Sequence, residues 1–584
     1  MESRESFVRR RLSEYGMSEI EWLLDDLERE GGEERLRSLY CDLECIFADE
    51  RFMREYDEIV RGLSGGGLSD GGGDEVSAGG PKVSYVPPGL ISWSRLAGRE
   101  PVSESEIEEV IRAVRAGGLW GESADACCEG QGRRVEGDCC LVTDLEEMPP
   151  GIREYIYQRG IRRLREGRVA VVIMSGGDGS RLGYSGPKGM YPIGRISGDS
   201  FFKIFCQRIQ SLGRLVHGRD GGLGASGGVP LYIMASESNH DAISRYFEEN
   251  RGFGLEDVTI FTQDSVPSIN IQDNGSFFIK EDLSILKSPS GNGGIFSSMR
   301  KHGIIQDMLN KGIEYVFIQC IDNPLCKVCD PFFIGYSDLL DLQVSTKTIR
   351  KRSVDESIGS VAQKLTGGRC TSPASPCIVE YTELSQLGDN KDRFLFGSIG
   401  IHLFRLSFIQ EISNKMPQLP FHKAYKKVPH LKYPRERATP HSRPKLCQPT
   451  EANGIKLETF IFDSFALTST PIHCINVSRD EFSPVKSASG KDSPEACQNA
   501  ISNLNKRRLA AALNPPNNDD HPEKPLLPPS KYVEISSLVS FDGEGLHQLS
   551  KLITETKHEL IYINDDAQLI LLDHNLNSLD HPST

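Results

Sequence analysis

The chain has 584 residues, 26% of them charged, with a formal net charge of −15. Such a length supports about two to four domains and a sizeable core, and the acidic balance argues against a general nucleic-acid-binding face. No apolar run is long enough to span a bilayer, the N-terminal MESRESFVRRRL lacks the apolar segment of a signal peptide, and fifteen cysteines without extracellular features point to reduced thiols in a cytoplasmic protein.

Residues 1–62 read as helical, because Leu12, Met17, Ile20, Leu23, Leu24 and Leu27, then Leu36, Leu39, Leu43 and Ile46, recur at helical spacing. Residues 63–82 are too rich in glycine to bury a core and read as a flexible linker. A helix is expected over Ser103–Gly118, with Ser103 as cap and Glu106 three residues on. The polar segment 122–138 reads as an insertion. Ile152–Glu166 has the pattern of an amphipathic helix that leads into an apolar, β-branched strand, Val169–Met174.

From there strands and helices alternate. Helices are expected over Phe201–Leu215, His240–Glu249 and Ile295–Leu309, and strands over Leu231–Ala235, Val258–Thr262 and Tyr315–Ile321. Gly213–Val229 reads as a second glycine-rich insertion, Leu365–Pro376 as a hairpin loop and 512–531 as a linker. The alternation predicts an α/β fold with a doubly wound, mixed but mostly parallel sheet. Domain boundaries are expected at 1–150 (a helical region with its glycine-rich insertion), 151–530 (a catalytic domain) and 531–584 (a small β domain). Cys326 and Cys329 have metal-ligand spacing, but no second Cys or His pair follows at a suitable distance, so buried thiols are expected rather than zinc.

The most restrictive motif follows the strand Val169–Met174. It reads Gly176-Gly177-Asp178-Gly179-Ser180-Arg181-Leu182-Gly183, then Pro187-Lys188-Gly189. Glycines at the end of a buried strand let backbone N–H groups approach phosphate oxygens, and Arg181 and Lys188 add charge at the same rim. Further polar groups come after later strand ends, where open α/β sheets bind ligands. They are Gln263 and Pro267, the run Ser288 to Gly294 with Gly291 and Asn292, and Asp322-Asn323. Gly359, then Glu380-Tyr381, precede the run Phe396 to His402. Asn453 to Glu458 brings Lys456, and Arg479 to Lys486 closes the series. The aromatic residues Phe460, Phe462 and Phe465 read as core on a helix.

These motifs resemble those of the eukaryotic UDP-N-acetylglucosamine pyrophosphorylases, within the nucleotide-sugar uridylyltransferases. The resemblance runs from the N-terminal helices to about residue 546. It implies a Rossmann-like nucleotidyltransferase core and a Mg2+-dependent transfer of UMP from UTP to N-acetylglucosamine 1-phosphate. By the same resemblance Gly176 and Gly177 line the triphosphate, Arg181 holds the leaving β and γ phosphates, Lys188 bridges the leaving group and Lys456 reaches the α-phosphate. Gln263 reads the uracil edge, Gly291 lies against the uracil plane and Asn292 bonds a sugar. Asp322 helps to hold Mg2+ or contacts ribose, while Gly359, Glu380 and Tyr381 face the hexose. Two departures stand out. Asp178 replaces the family's glutamine, and Phe396-Gly397-Ser398-Ile399-Gly400 lacks two asparagines, one of which contacts the acetamido sugar in the family. Two alternatives therefore stand beside this activity: the same transfer to glucose, galactose or N-acetylgalactosamine 1-phosphate, and a non-catalytic sugar-nucleotide sensor. No nucleic-acid or membrane partner is expected, and the sequence carries no signal for an oligomeric state.

Overall fold

A computed structural model describes residues 3–29, 32–64, 83–91, 104–115, 139–218, 228–273, 275–353, 356–366, 374–384, 392–416, 419–432, 445–513, 527, 530–555, 558–572 and 578–579. Ser103, residues 65–82 of the linker, the insertion 122–138, most of 213–229, residues 367–373 and most of 512–531 lie outside them. Contacts group the chain into two units of three segments each, rather than into consecutive stretches.

The smaller unit comprises Met1–Gly80, Gln263–Ser298 and Asn414–Ser464. The expected helical region is four helices, Arg4–Glu14, Ser18–Arg29, Glu33–Ala48 and Glu50–Ser64. Their apolar stripes share one core with Ile269, Phe277, Ile279, Ile455 and Leu457 from the two later segments. Tyr56 is completely buried, with its ring edge-on to Phe277 at 5.5 Å. The N-terminal helices are thus one wall of a core whose other wall lies about 200 to 400 residues further along the chain.

The larger unit holds a twelve-stranded sheet. Its main path runs Gly89–Ile91, Cys140–Asp144, Ile472–Asn476, Val344–Arg350, Phe396–Arg405, Tyr315–Cys320, Val169–Met174, Leu231–Ala235 and Val258–Thr262. All neighbours on this path are parallel except the two pairings made by Phe396–Arg405. The sheet is therefore mixed and mostly parallel, as the alternation of elements predicts. Every residue of Val169–Met174 is buried, as a central strand covered on both faces requires. The helix Phe201–His217, capped by Ser200, covers it with Phe201, Phe202, Phe205 and Ile209.

The expected helix Ile295–Leu309 is two short helices, Ile295–Lys301 and Ile304–Asn310, separated where Gly303 turns left-handed at φ +70. The segment expected as a hairpin loop extends two antiparallel strands, Ser360–Thr366 and Ala374–Val379. At the C-terminal end a four-stranded sheet, Tyr532–Ile535, Leu560–Ile563, Leu569–Leu572 and Ser578–Leu579, packs on the helix Pro494–Leu513, with Leu509, Val533 and Ile561 in one cluster. Cys326 and Cys329 are buried thiols, the former bonded to Gln319 Oε1 at 2.7 Å, and no group of three or more metal-ligand side chains gathers among the described residues.

A buried ion triad ties the sheet to the loop after Ile472–Asn476. Lys347, on Val344–Arg350, is completely buried and donates to Asp330 Oδ2 at 2.7 Å and Glu481 Oε2 at 2.6 Å. Opposing charges hold Lys347 above, and Asp330 below, their ordinary values, against the effect of burial. Lys347→Met strands two carboxylates, and the expected loss is about 3–5 kcal/mol in urea denaturation. Arg37→Ala, which removes an exposed pair with Glu33, leaves the midpoint unchanged.

Candidate active site

The strand Val169–Met174 ends at Ser175, whose N–H donates to Met234 O at 2.8 Å and whose carbonyl accepts from Asn239 Nδ2 at 3.3 Å. Beyond it the chain folds back on itself. Gly179 N–H donates to Gly186 O at 2.9 Å and Lys188 N–H to Gly177 O at 3.2 Å, so Asp178 and Pro187 pair as a bridge. Two short 3-10 turns, Ser180–Leu182 and Lys188–Met190, complete the loop. Two of its glycines are dictated by packing. A Cβ at Gly189 would lie 2.3 Å from the Phe202 ring, and one at Gly179 would lie 2.8 Å from Tyr184. Gly177 differs, since a Cβ there would meet nothing within 4 Å. Its backbone is exposed to open space, as a phosphate cradle needs.

Cations collect at this rim. Arg181 is exposed and Lys188 half-buried, and neither forms an ion pair with a described residue. Burial pushes the Lys188 ammonium below the usual lysine value; Asp322 and Cys320 pull it back, and Lys486 and Arg181 reinforce the depression. Arg181, Asp322 and Lys486 therefore all act on Lys188. The way Lys486 gets there is explicit. Val485 N–H donates to Asp322 O at 2.9 Å, Ser483 N–H to Asn323 Oδ1 at 3.0 Å, and Asn323 Nδ2 to Glu481 O at 2.7 Å. The turn after Tyr315–Cys320 thereby holds the segment Glu481–Lys486 against the glycine-rich loop. Asn323, read from sequence only as the neighbour of Asp322, is the residue that docks this segment. Arg479 instead binds Glu356, at 2.6 Å, and Arg350 O.

The residues expected to face a hexose meet on the same unit. A Cβ at Gly359 would lie 2.7 Å from Ile378 and 3.5 Å from Glu380 Oε1, and Gly359 O accepts Ser398 N–H at 2.9 Å. Glu380 O accepts the N–H groups of Glu383 and Leu384, starting the four-residue helix Tyr381–Leu384. Only the backbone of Tyr381 is among the described features. Opposite Val344–Arg350, the register of Phe396–Arg405 shifts between Thr346 and Thr348, with Gly400 left-handed at φ +69 and its Cβ position 3.4 Å from Cys320 Sγ. The run without asparagines is thus a β-bulge next to the site, a device that re-aims the side chains beside it.

The smaller unit carries the remaining candidates. Gln263 is buried and its Nε2 donates to Gly291 O, so these two come together. Gly291 has φ +85, and a Cβ there would lie 2.3 Å from Thr459 O. The close approach of the chain's own backbone is therefore sufficient reason for glycine at 291. Asn292 Oδ1 accepts Ile461 N–H at 2.9 Å, which leaves its amide N–H groups without a described partner. Lys456 lies at the centre of Gly454–Glu458, the middle strand of a three-stranded sheet. Its neighbours Ile455 and Leu457 enter the core, so by strand alternation Lys456 projects from the opposite face, where it has no ion-pair partner among the described residues. Phe460 stacks on Phe462 at 5.0 Å and lies tilted against His422 at 4.4 Å, and His422 bonds Asp463.

A mostly parallel sheet with a folded-back glycine loop and unpaired cations beyond its central strands has the form of a nucleotide-handling transferase. A model of the family described as UTP–glucose-1-phosphate uridylyltransferase matches residues 153–504, and the chain belongs to that family. It is 33% identical over 407 residues to a UDP-N-acetylglucosamine pyrophosphorylase of Saccharomyces cerevisiae, covering 67% of this chain and 78% of the yeast protein. It is 31% identical over 424 residues to UDP-N-acetylglucosamine diphosphorylase 2 of Arabidopsis thaliana, covering 70% and 78%. In fold it is similar to the solved uridine diphosphate N-acetylglucosamine pyrophosphorylase of Trypanosoma brucei, with a TM-score of 0.65 at 24% identity over 97% of this chain and 99% of the other.

The two kinds of glycine separate experimentally. Gly291→Ala strains both φ and the Thr459 contact, and a loss of about 1–3 kcal/mol is expected in urea denaturation. Gly177→Ala meets no atom of the protein and should leave the denaturation midpoint where it is.

Proposed function

We propose that this protein joins UTP and N-acetylglucosamine 1-phosphate into UDP-N-acetylglucosamine with release of pyrophosphate. The observation that carries the reading is the group of unpaired cations, Arg181, Lys188 and Lys486, gathered around an open glycine backbone beyond the central strand. Like charges in such a group oppose one another at Lys188, and a polyphosphate neutralises them.

In the proposed reaction a phosphate oxygen of the sugar 1-phosphate attacks the α-phosphorus of UTP in line. The bond from that phosphorus to the β-phosphate bridging oxygen breaks, and pyrophosphate departs with its electron pair. The attacking phosphate is already anionic, so no base is required, and catalysis consists of positioning and charge neutralisation. Gly176 and Gly177 supply backbone N–H groups to the phosphates, and Arg181 holds the leaving β and γ groups. Lys188 donates to the bridging oxygen as charge accumulates there, and Lys456 is assigned to the α-phosphate. Gln263 pairs with the imide edge of uracil by its remaining donor and acceptor capacity, next to Gly291, and Asn292 offers its free amide N–H groups to a sugar hydroxyl. Gly359, Glu380 and Tyr381 receive the hexose.

A divalent cation fits the donor set. Mg2+ is commonly held by one or two carboxylates plus substrate phosphates, and Asp322 is a half-buried carboxylate, without an ion pair to a described residue, in direct electrostatic reach of Lys188. When bound, Mg2+ would spread the charge of the triphosphate. The twelve described cysteines are all free thiols, in keeping with a reducing compartment such as the cytosol as the place of action. No described helix is long and apolar enough to cross a membrane.

Arg181→Ala, Lys188→Ala and Lys456→Ala should each lower kcat/KM by roughly 10²–10³-fold in a pyrophosphate-release assay while circular dichroism stays unchanged. Retained turnover in a folded Arg181 or Lys188 variant would defeat the reading. Lys188 must be protonated to act, and its value is depressed, so activity should fall as pH rises through that lowered value. Lys188→Arg, which stays charged, should carry the alkaline limb to higher pH.

The bulge at Gly400 favours one second reading, the same transfer to a hexose 1-phosphate without the acetamido group. Turnover with N-acetylglucosamine, N-acetylgalactosamine, glucose and galactose 1-phosphates decides. The acetamido sugar is expected to lead, and equal turnover of glucose 1-phosphate would assign the protein to the plain hexose.

A further inference from the structure

Away from the glycine-rich loop, one cation of the larger unit lies deep in the protein with no ion-pair partner among the described residues. Arg208, on the helix Phe201–His217, is only 7% exposed. Its Nη1 donates to Cys326 O at 2.7 Å. It forms no ion pair with a described residue, and its Nε and Nη2 donate to none. A buried guanidinium in this state is costly, and burial pushes it down to about 10, with Arg508 acting in the same direction.

Arg208 lines a partly open cavity of about 30 Å³, between its own helix, the helix Pro494–Leu513 and the segment from Glu534 to Ser540. Arg508 lines it too. The carboxylates on its wall are already engaged. Asp199 binds Lys203 at 2.8 Å, and Glu534 accepts the N–H groups of Ile196 at 2.9 Å and Ser197 at 3.1 Å. Asp542, which also acts on Arg208, is shared between Lys327 and Arg508. Two hydroxyls on the wall have a hydrogen to give. Ser537 makes no bond to a described residue, and Ser540 Oγ accepts Gly543 N–H at 2.8 Å while its own hydrogen is unassigned. One water needs about 10–15 Å³ of such space, so the cavity suits a small polar guest and is too small for a nucleotide.

We propose that this cavity binds a tetrahedral oxyanion of the phosphate or sulfate class, with Arg208 as its counter-charge and Ser537 and Ser540 as donors. The bound anion fastens the C-terminal sheet and its helix to the sheet domain. Arg208 simultaneously holds Cys326, four residues beyond Asp322, so the anion also steadies the turn that docks Lys486. The site is independent of the transferase reading.

The full-length chain carrying Arg181→Ala and Lys188→Ala, which removes two cations of the glycine-rich loop, is soaked as crystals in sodium selenate. An anomalous peak against the Arg208 guanidinium is expected; a map with no peak there overturns the proposal. In solution, thermal unfolding of the same variant is followed in sodium phosphate and in sodium chloride at equal ionic strength. Phosphate should raise Tm by about a few degrees and saturate. Adding Ser537→Asp, which places a carboxylate in the cavity wall, should abolish the saturable rise. A phosphate response that is equal with and without Ser537→Asp, or that never saturates, also overturns the proposal.

Discussion

The larger unit has to keep like charges near one another at the rim of its glycine-rich loop. Arg181, Lys188 and Lys486 share one rim with a single carboxylate, Asp322, among the charges that act on Lys188. Mutual repulsion would disperse them if they stood on mobile loops. They are held by hydrogen bonds of the main chain and of the Asn323 amide instead. The glycine loop is closed by Gly179 to Gly186 and Lys188 to Gly177, and the Lys486 segment by three bonds to Asp322 and Asn323. The contacts that keep the cations in place are hydrogen bonds of the main chain and of Asn323, and do not use the charges themselves.

The triad of Lys347, Asp330 and Glu481 extends the same logic into the interior. Glu481 opens the segment that ends at Lys486, and its carboxylate is fixed by a lysine that has no access to water. Its main-chain oxygen is fixed in turn by Asn323. The segment is thus anchored at one end to the middle of the sheet and, two and four residues on, to the turn beside the glycine loop. A buried ion pair is a poor source of net stability but a specific one, because any other arrangement leaves a charge unpaired. Here it sets the register of a functional segment against the sheet.

Much of this was legible in the amino-acid order. Val169–Met174 and Leu231–Ala235 fall where short apolar runs predict them, because strands buried on both faces must be continuously apolar, and Val258–Thr262, at the end of the strand order and only partly buried, falls where its β-branched residues predict it. The features that were not legible depend on long-range contacts. A lysine inside a strand reads as exposed unless both carboxylates that meet it are known, and Asp330 and Glu481 lie 17 and 134 residues away from Lys347. The run Ile295–Leu309 has uninterrupted helical spacing, yet Gly303 divides it, since only the folded chain reveals that this glycine adopts a left-handed φ. The glycine at 291 was expected from a contact with the uracil plane; what the structure shows is that its Cβ would strike Thr459, a contact made across 168 residues of sequence.

The hexose side shows how substitution and backbone geometry compensate. Loss of two asparagines removes amide groups that could grip a substituent, while the left-handed Gly400 lets the strand bulge and re-aim the side chains next to it. Gly359 and Glu380 flank the paired ends of Ser360–Thr366 and Ala374–Val379, the first of which also pairs with Phe396–Arg405, and they remain adjacent, with Ser398 tied to Gly359. A carboxylate beside a glycine is suited to accept hydroxyl hydrogens from a ring that lies close to the backbone. In the proposed reaction such contacts would recognise features common to all hexoses, and discrimination among sugars would fall to the residues around the bulge at Gly400.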